Sequence, residues 1–301
     1  MPTLKEIKGR IGSVKSTLKI TSAMKLVSSA KLHKAQQAAQ AMRPYQEALQ
    51  QMLSLVGGGA CAEGGMYAHG PEAGEKQGNP PTAIVAMASN SSLCGGFNAN
   101  IIAKVRAVRR PGDVVYSIGR KMADAMRRDG FPSPEDLNAL VEHPAYSPAA
   151  DLASRLVEDC RDGRICRVLL VYTHFVSTAR QVPVAETLLG EVAEGNYFSQ
   201  GFSKNQFPSA IENPAQTEDI LIEPGRGELL AALEPKVLKL KLYAALLDSA
   251  AAEHAARTVA MQTATDNAEN LLADLTLQYN KGRQQKITSE ILDLAGGQME
   301  A

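Results

Sequence analysis

The sequence predicts an α/β chain in which a long antiparallel coiled coil of N- and C-terminal helices carries a small, mostly parallel α/β domain between its two arms. Three observations predict it. Residues 236–296 contain no proline and a single glycine, Gly282, before the closing Gly296-Gly297 pair. A heptad of apolar residues runs through residues 4–56. Between residues 82 and 189, short apolar runs alternate with amphipathic stretches, the pattern of strands joined by helices.

The first arm opens with Pro2-Thr3, where Thr3 caps a helix and Glu6, three residues on, completes a capping box. Its seam runs Leu4, Ile7, Ile11, Val14, Leu18, then Leu32, Ala35, Ala39, Met42, Leu49, Leu53 and Val56. Between the two halves Thr21, Lys25 and Ser28 take the seam positions, while Ile20, Met24 and Val27 form a second apolar stripe. A helix with one helical partner has no use for a second apolar face, so this part is expected to be surrounded by something besides that partner. Pro44 predicts a kink or a local irregularity. Lys5, Lys8, Arg10, Lys15, Lys19, Lys25, Lys31 and Lys34 stand against Glu6 alone. Such a face is either simply solvated, a basic arm for nucleic acid, or a shaft near acidic loops of a partner.

Residues 57–81, rich in Gly, Ala, Glu and Pro, read as a flexible linker containing an isolated His69. The α/β domain, 82–218, follows. Its strands are expected at 82–88, 113–118, 167–173 and 181–189, the last on an edge because of Pro183. Its helices are expected at 100–109, 120–129 and 148–162, with a Pro-rich passage before the last. This alternation is Rossmann-like. Residues 190–218 are polar and turn-rich, 220–222 form a short extended piece, and Pro235 suits the first turn of the closing helix. The region 219–301 is thus the second arm with its lead-in. Its seam is Val237, Leu240, Ala244, Leu247, Ala251, Met261, Ala268, Leu272, Leu275 and Tyr279. A helix over 236–296 spans roughly 90 Å and needs a partner along its length.

The 32 basic and 32 acidic residues cancel, which excludes global steering toward nucleic acid or membrane. No apolar run approaches the roughly 20 residues that cross a bilayer, so a soluble chain is expected. The first 34 residues are basic, Ser-rich and acid-poor like a transit peptide, but their apolar repeat carries on past them to Val56, which argues against cleavage and for a bacterial protein. Cys61, Cys94, Cys160 and Cys166 lack the spacings of a zinc site and read as reduced thiols. A redox disulfide between Cys160 and Cys166 is geometrically conceivable beside the plainer reading of two partly buried thiols.

The strand-to-helix turn Ser89-Asn90-Ser91-Ser92-Leu93-Cys94-Gly95-Gly96-Phe97 sits where phosphate loops and nucleophile elbows occur, yet it matches neither: Phe97-Asn98 stands where a phosphate loop needs Lys and Ser or Thr. Cys94 as a thiol nucleophile would need a histidine, and His143 and His174 cannot be placed beside it from sequence. No catalytic residue, cofactor or metal site is therefore expected, and the α/β domain is expected to bind proteins.

Three passages resemble the γ subunit of F-type ATP synthases: residues 18–27 (Leu-Lys-Ile-Thr-Ser-Ala-Met-Lys-Leu-Val), residues 93–98 (Leu-Cys-Gly-Gly-Phe-Asn), and Ala264-Thr265-Asp266-Asn267-Ala268 with Tyr279-Asn280-Lys281 and Ile287-Thr288-Ser289-Glu290. Gln298 and Asn90-Ser91-Ser92 depart mildly from the family pattern. The resemblance implies a central rotor shaft, not an enzyme, without cofactor. Its implied partners are the α and β subunits of the hexamer, the ε subunit and the c-ring, with no nucleic acid. It further implies a peripheral position on the cytoplasmic face of the bacterial inner membrane. Met24, Lys25, Arg257, Gln284, Thr288 and Glu290 are the partner-coupling residues it implies, and the apolar tip Ile291, Leu292 and Leu294 would run in a sleeve of partner side chains. The rival readings are a coiled-coil scaffold that binds nucleic acid through the basic first arm and a thiol-dependent enzyme using Cys94.

Overall fold

The computed structural model describes residues 3–57, 81–189, 223 and 225–297. The expected linker with His69 and Cys61, and residues 190–222 with their expected short extended piece, lie outside the described residues. Helix α1, Leu4–Gly57, starts with the predicted reciprocal cap. The Thr3 amide donates to Glu6 Oε2 at 2.9 Å and the Glu6 amide to Thr3 Oγ1 at 3.3 Å. The helical span runs on through Pro44. The closing helix, α6, spans Arg226–Gly297. It begins ahead of the expected start at Lys236, so Pro235 lies inside it and not in its first turn.

Between them lie β1 (Thr82–Met87), α2 (Phe97–Val108), β2 (Val114–Ile118), α3 (Arg120–Arg128), α4 (Ala139–Glu142), α5 (Tyr146–Arg161), β3 (Arg167–Phe175) and β4 (Gln181–Leu189). The sheet order is β2-β1-β3-β4. β1 pairs in parallel with β2 and β3, and β4 closes the edge antiparallel to β3, with Pro183 opposite Thr173. An edge strand tolerates the missing proline N–H. Against the expected bounds, α2 begins three residues earlier, α4 occupies the Pro-rich passage, and β3 runs two residues further.

The central strands are buried on both faces, which is why they read as unbroken apolar runs. Val168, Leu170 and Tyr172 of β3 join Leu152 and Leu156 of α5 and Leu242, Ala245 and Leu246 of α6 in one core. Leu169 and Val171 point the other way, into a second core with Ile101 and Val105 of α2 and Met122 and Met126 of α3. The turn from β2 into α3 depends on Gly119, at φ +102°. A Cβ there would stand 2.1 Å from the Ala88 carbonyl oxygen.

The chain packs as two compact units. One, Lys31–Ala256, holds the sheet, its helices and the adjoining stretches of α1 and α6. Within it Leu49 and Val56 of α1 pack on Leu233, Val237 and Leu240 of α6, and Leu32 packs on Ala251 and Ala255. The small alanines let the two backbones approach closely. The other unit, Met1–Ala30 with Arg257–Ala301, contains the start of α1 and the end of α6.

Candidate partner-coupling surface of the terminal helices

In the terminal unit α1 and α6 run antiparallel. Level with Leu4 stands Gly282, where an added Cβ would meet Leu4 Cδ2 at 3.2 Å. Further along, the Thr265 hydroxyl lies 3.0 Å from the Thr21 hydroxyl. From Leu4 to Thr21 α1 advances as many residues as α6 retreats from Gly282 to Thr265, which is the register of an antiparallel pair. Ile7, Thr21 and Ser28 from α1 and Met261, Thr265, Ala268 and Leu275 from α6 are the buried seam. Each seam hydroxyl is satisfied on its own helix: Thr21 donates to Leu18 O, Ser28 to Met24 O and Thr265 to Met261 O. The polar break in the first-arm heptad is therefore a hydroxyl layer that the second arm matches at Thr265. The Thr in residues 264–268 was the signal for it, and pattern reading alone did not connect the two.

The second stripe stays bare within this chain. Ile20 is 59% exposed and Val27 57%, with Met24 half-buried between them. Leu26, which the stripe did not include, is 69% exposed, and α6 adds Leu271, Leu277, Ile287, Ile291 and Leu292. Isolated exposed hydrophobics are ordinary, but a run of them along one pair of helices marks an interaction surface. Beyond Gly282, α6 continues to Gly297 past the level at which α1 begins, so Gln284, Thr288 and Glu290 stand on a stretch without a facing turn of α1.

The six candidate residues fall into two groups. Met24 and Lys25 on α1 and Arg257 on α6 are half-buried and near one level of the pair. Gln284, Thr288 and Glu290 are exposed and lie roughly 40 Å further along α6 at 1.5 Å per residue. Among them, the Thr288 hydroxyl donates to Gln284 O at 2.9 Å, and Glu290 faces Lys286 at 3.6 Å. Neither contact buries its partners. The outer group is thus a polar edge beside Ile287 and Ile291, held open to solvent.

The turn after β1 holds no assembled nucleophile. Cys94 is buried and receives the Asn98 amide at 3.1 Å, with Ser89 Oγ 3.8 Å away. Among the described residues no histidine hydrogen-bonds it, and His174 spends Nδ1 on Asp248. Leu93, at φ +69° and 59% exposed, is an apolar side chain held out in the left-handed region. Cys160 and Cys166 are not joined in a disulfide; burial pushes the Cys160 thiol up, and Cys166 Sγ lies 3.8 Å from the Pro81 carbonyl. Among the described residues no helix is long and apolar enough to cross a membrane, and no group of three or more metal-ligating side chains is found.

Paired terminal helices that bare their apolar side chains, joined to a mostly parallel α/β sheet, define a class of protein: a helical stalk subunit of a larger assembly. The ATP synthase family model matches residues 3–300. The chain is 43% identical to the ATP synthase gamma chain of Bacteroides thetaiotaomicron across the whole of both chains. It is 38% identical to that of Flavobacterium johnsoniae, over 99% of this chain and 98% of the relative. Its fold matches the rotor of Euglena gracilis mitochondrial ATP synthase with a TM-score of 0.60 at 17% identity, over 94% of this chain and 98% of the other. The chain belongs to the ATP synthase γ chain family.

Proposed function

We propose that the chain is the central rotor shaft of an F-type ATP synthase, a non-catalytic subunit that couples rotation of a proton-driven c-ring to conformational change at catalytic β subunits. The observation that carries the reading is the bare apolar run on both terminal helices, Ile20, Leu26, Val27, Leu277 and Ile291, in a chain of the γ family. A sleeve of α and β subunits would cover it, and the ε subunit and c-ring would hold the α/β unit. The complex would place the chain peripherally on the cytoplasmic face of the bacterial inner membrane.

In this reading Met24, Lys25, Arg257, Gln284, Thr288 and Glu290 perform no bond chemistry. They touch mobile loops of the β subunits. A shaft whose faces differ contacts each β subunit differently, so rotation stabilises open, loose and tight nucleotide sites in turn. The lysines of α1 supply a basic face for acidic loops of those subunits. Affinity purification of the tagged chain from its native membrane tests the assignment: nucleotide-hydrolysing α and β subunits are expected to come with it, and their absence overturns it. Met24→Lys puts a charge into the apolar stripe and is expected to reduce proton pumping per ATP hydrolysed more than it reduces assembly. Unchanged pumping in reconstituted complex would remove Met24 from the coupling set.

A further inference from the structure

Rotor coupling leaves one cluster of buried and half-buried ionisable side chains without a task. In the unit Lys31–Ala256, Tyr172 and His174 of β3, Glu186 of β4, and Lys241 and Asp248 of α6 line a cavity of about 220 Å³ against the middle of α1. Met42, Phe175, Ala244 and Leu247 supply apolar wall, and Gln40, Gln46 and Arg43, the last paired with Glu47 at 2.9 Å, line the α1 side. A mostly apolar recess with a few convergent polar groups is the usual form of a small-molecule site.

A census of donors and acceptors gives the site a sign. The acidic acceptors are largely spent. Asp248 Oδ1 takes the Phe175 amide at 3.0 Å and Oδ2 takes His174 Nδ1 at 2.6 Å. Glu186 Oε1 takes the Tyr172 hydroxyl at 3.1 Å. The donors are not spent. The Lys241 ammonium gives one proton to Thr187 O at 3.1 Å and keeps two. The Asp248 hydrogen bond favours the charged form of His174, which carries a further proton on Nε2. Burial pushes the Glu186 carboxyl up and Lys241 down, against the mutual attraction of the two groups. An incoming anion would give the Lys241 ammonium a further partner. A cation would find both oxygens of Asp248 and one of Glu186 already engaged, and a dianion would meet two carboxyl side chains in the same wall.

We propose that this cavity binds a small organic acid, its carboxylate against the Lys241 ammonium and its short apolar tail against Met42, Phe175 and Leu247. Bound there, the acid bridges α1, the β3–β4 edge of the sheet and α6, and stabilises that packing by mass action. The site does not depend on the rotor reading, since its walls belong to this chain alone.

The test uses the purified full-length chain with histidine ring labelling, the His174 resonance assigned by its loss in His174→Gln. Sodium hexanoate, hexanamide and hexylamine are titrated in parallel at neutral pH. Hexanoate is expected to move the His174 signal saturably and raise the melting temperature, hexanamide to bind about tenfold more weakly, and hexylamine to do neither. Lys241→Met should weaken hexanoate at least about tenfold, and Ala244→Leu, which fills the cavity without touching a charge, should abolish the saturable shift. A non-saturable hexanoate response overturns the proposal, as does hexylamine or hexanamide binding as tightly as hexanoate. These probe comparisons decide on the unsubstituted chain even where a variant fails to fold. Wild-type affinity in either folded variant also overturns it.

Discussion

The sheet and the paired terminal helices use the same residue types to opposite ends. Around the sheet Ile84, Val85, Leu170 and Met122 have no more than about one per cent of their surface in water. On the terminal helices Ile20, Leu26 and Leu277 keep well over half of theirs. A sheet with helices on both faces offers three layers in which to hide a side chain, whereas two helices cover one seam and leave their other faces bare. Full burial of a large apolar side chain stabilises by about 1.5–3 kcal/mol. In the sheet that free energy belongs to the fold. On the terminal helices it is available only when other chains close around them, so the same hydrophobicity becomes a property of assembly.

The contrast breaks most readily where it is sharpest. Gly119→Ala is expected to have the largest effect, preventing folding of the sheet unit, because its Cβ would sit 2.1 Å from the Ala88 carbonyl oxygen at a φ of +102°. Leu170→Ala should cost about 2–5 kcal/mol in urea unfolding of the isolated chain. Leu277→Ala, by contrast, should change that unfolding by less than about 0.5 kcal/mol while weakening recovery of the assembled complex. A loss above about 1 kcal/mol in the isolated chain would show that Leu277 is packed within its own fold, and the contrast would fail there.

How much of this was legible follows from where each periodicity is set. The seam residues were readable because Ile7, Met261 and Leu275 answer to a single helical partner, and the strands because Ile84 to Met87 are buried on both faces. The capping box was readable because Thr3 and Glu6 are local. The early start of α6 was not: proline was read as a first-turn residue, and Pro235 instead sits inside a helix whose neighbours Leu233 and Val237 pack on Leu49 and Val56 of α1. Four-residue α4 has too few turns to show a period. Of the candidate surface, the stripe of Ile20, Met24 and Val27 was legible as a surplus of apolar residues, but Leu26 and Leu277 were not, since exposure against a missing partner has no sequence period of its own. The cluster of Tyr172, His174, Glu186, Lys241 and Asp248 draws on three elements far apart in the chain, and no local spacing announces it.

The hydroxyl layer sharpens the comparison at an intermediate scale. Thr21→Val and Thr265→Val should each cost about 1 kcal/mol, because each leaves a buried hydroxyl facing a methyl across the seam. The double substitution should cost less than the sum, since both polar partners then vanish together. Strict additivity in urea midpoints would mean that the 3.0 Å contact contributes nothing across the seam.

The sheet unit should also respond to pH. The Asp248 hydrogen bond raises His174 above its usual 6.5 despite burial, so its contribution is complete below about 6.5 and declines as pH rises through the elevated value. Glu186, raised by burial from 4.5, acts in the same sense from a lower starting pH. Lys241, lowered by burial from 10.5, acts oppositely and recovers stability only at alkaline pH. The expected outcome is a urea midpoint that falls as pH rises above about 6.5 and a fall that flattens in His174→Gln. A variant with the wild-type slope would assign the fall to other groups.

The smallest expected effect lies at the exposed end of α6, where Lys286 and Glu290 face each other at 3.6 Å with side chains 65% and 62% exposed. An ion pair so open to water contributes about 0–0.5 kcal/mol. Glu290→Ala should therefore leave urea unfolding of the isolated chain unchanged. If Glu290 meets β-subunit loops, the same substitution lowers ATP-driven proton pumping in the reconstituted complex, and Glu290→Gln, which keeps its shape and hydrogen-bonding reach, restores part of it. Loss of folding stability with unchanged pumping would place Glu290 in the helix's own balance of charge and not in the coupling surface, because a residue that acts on a partner has to be silent until the partner is present.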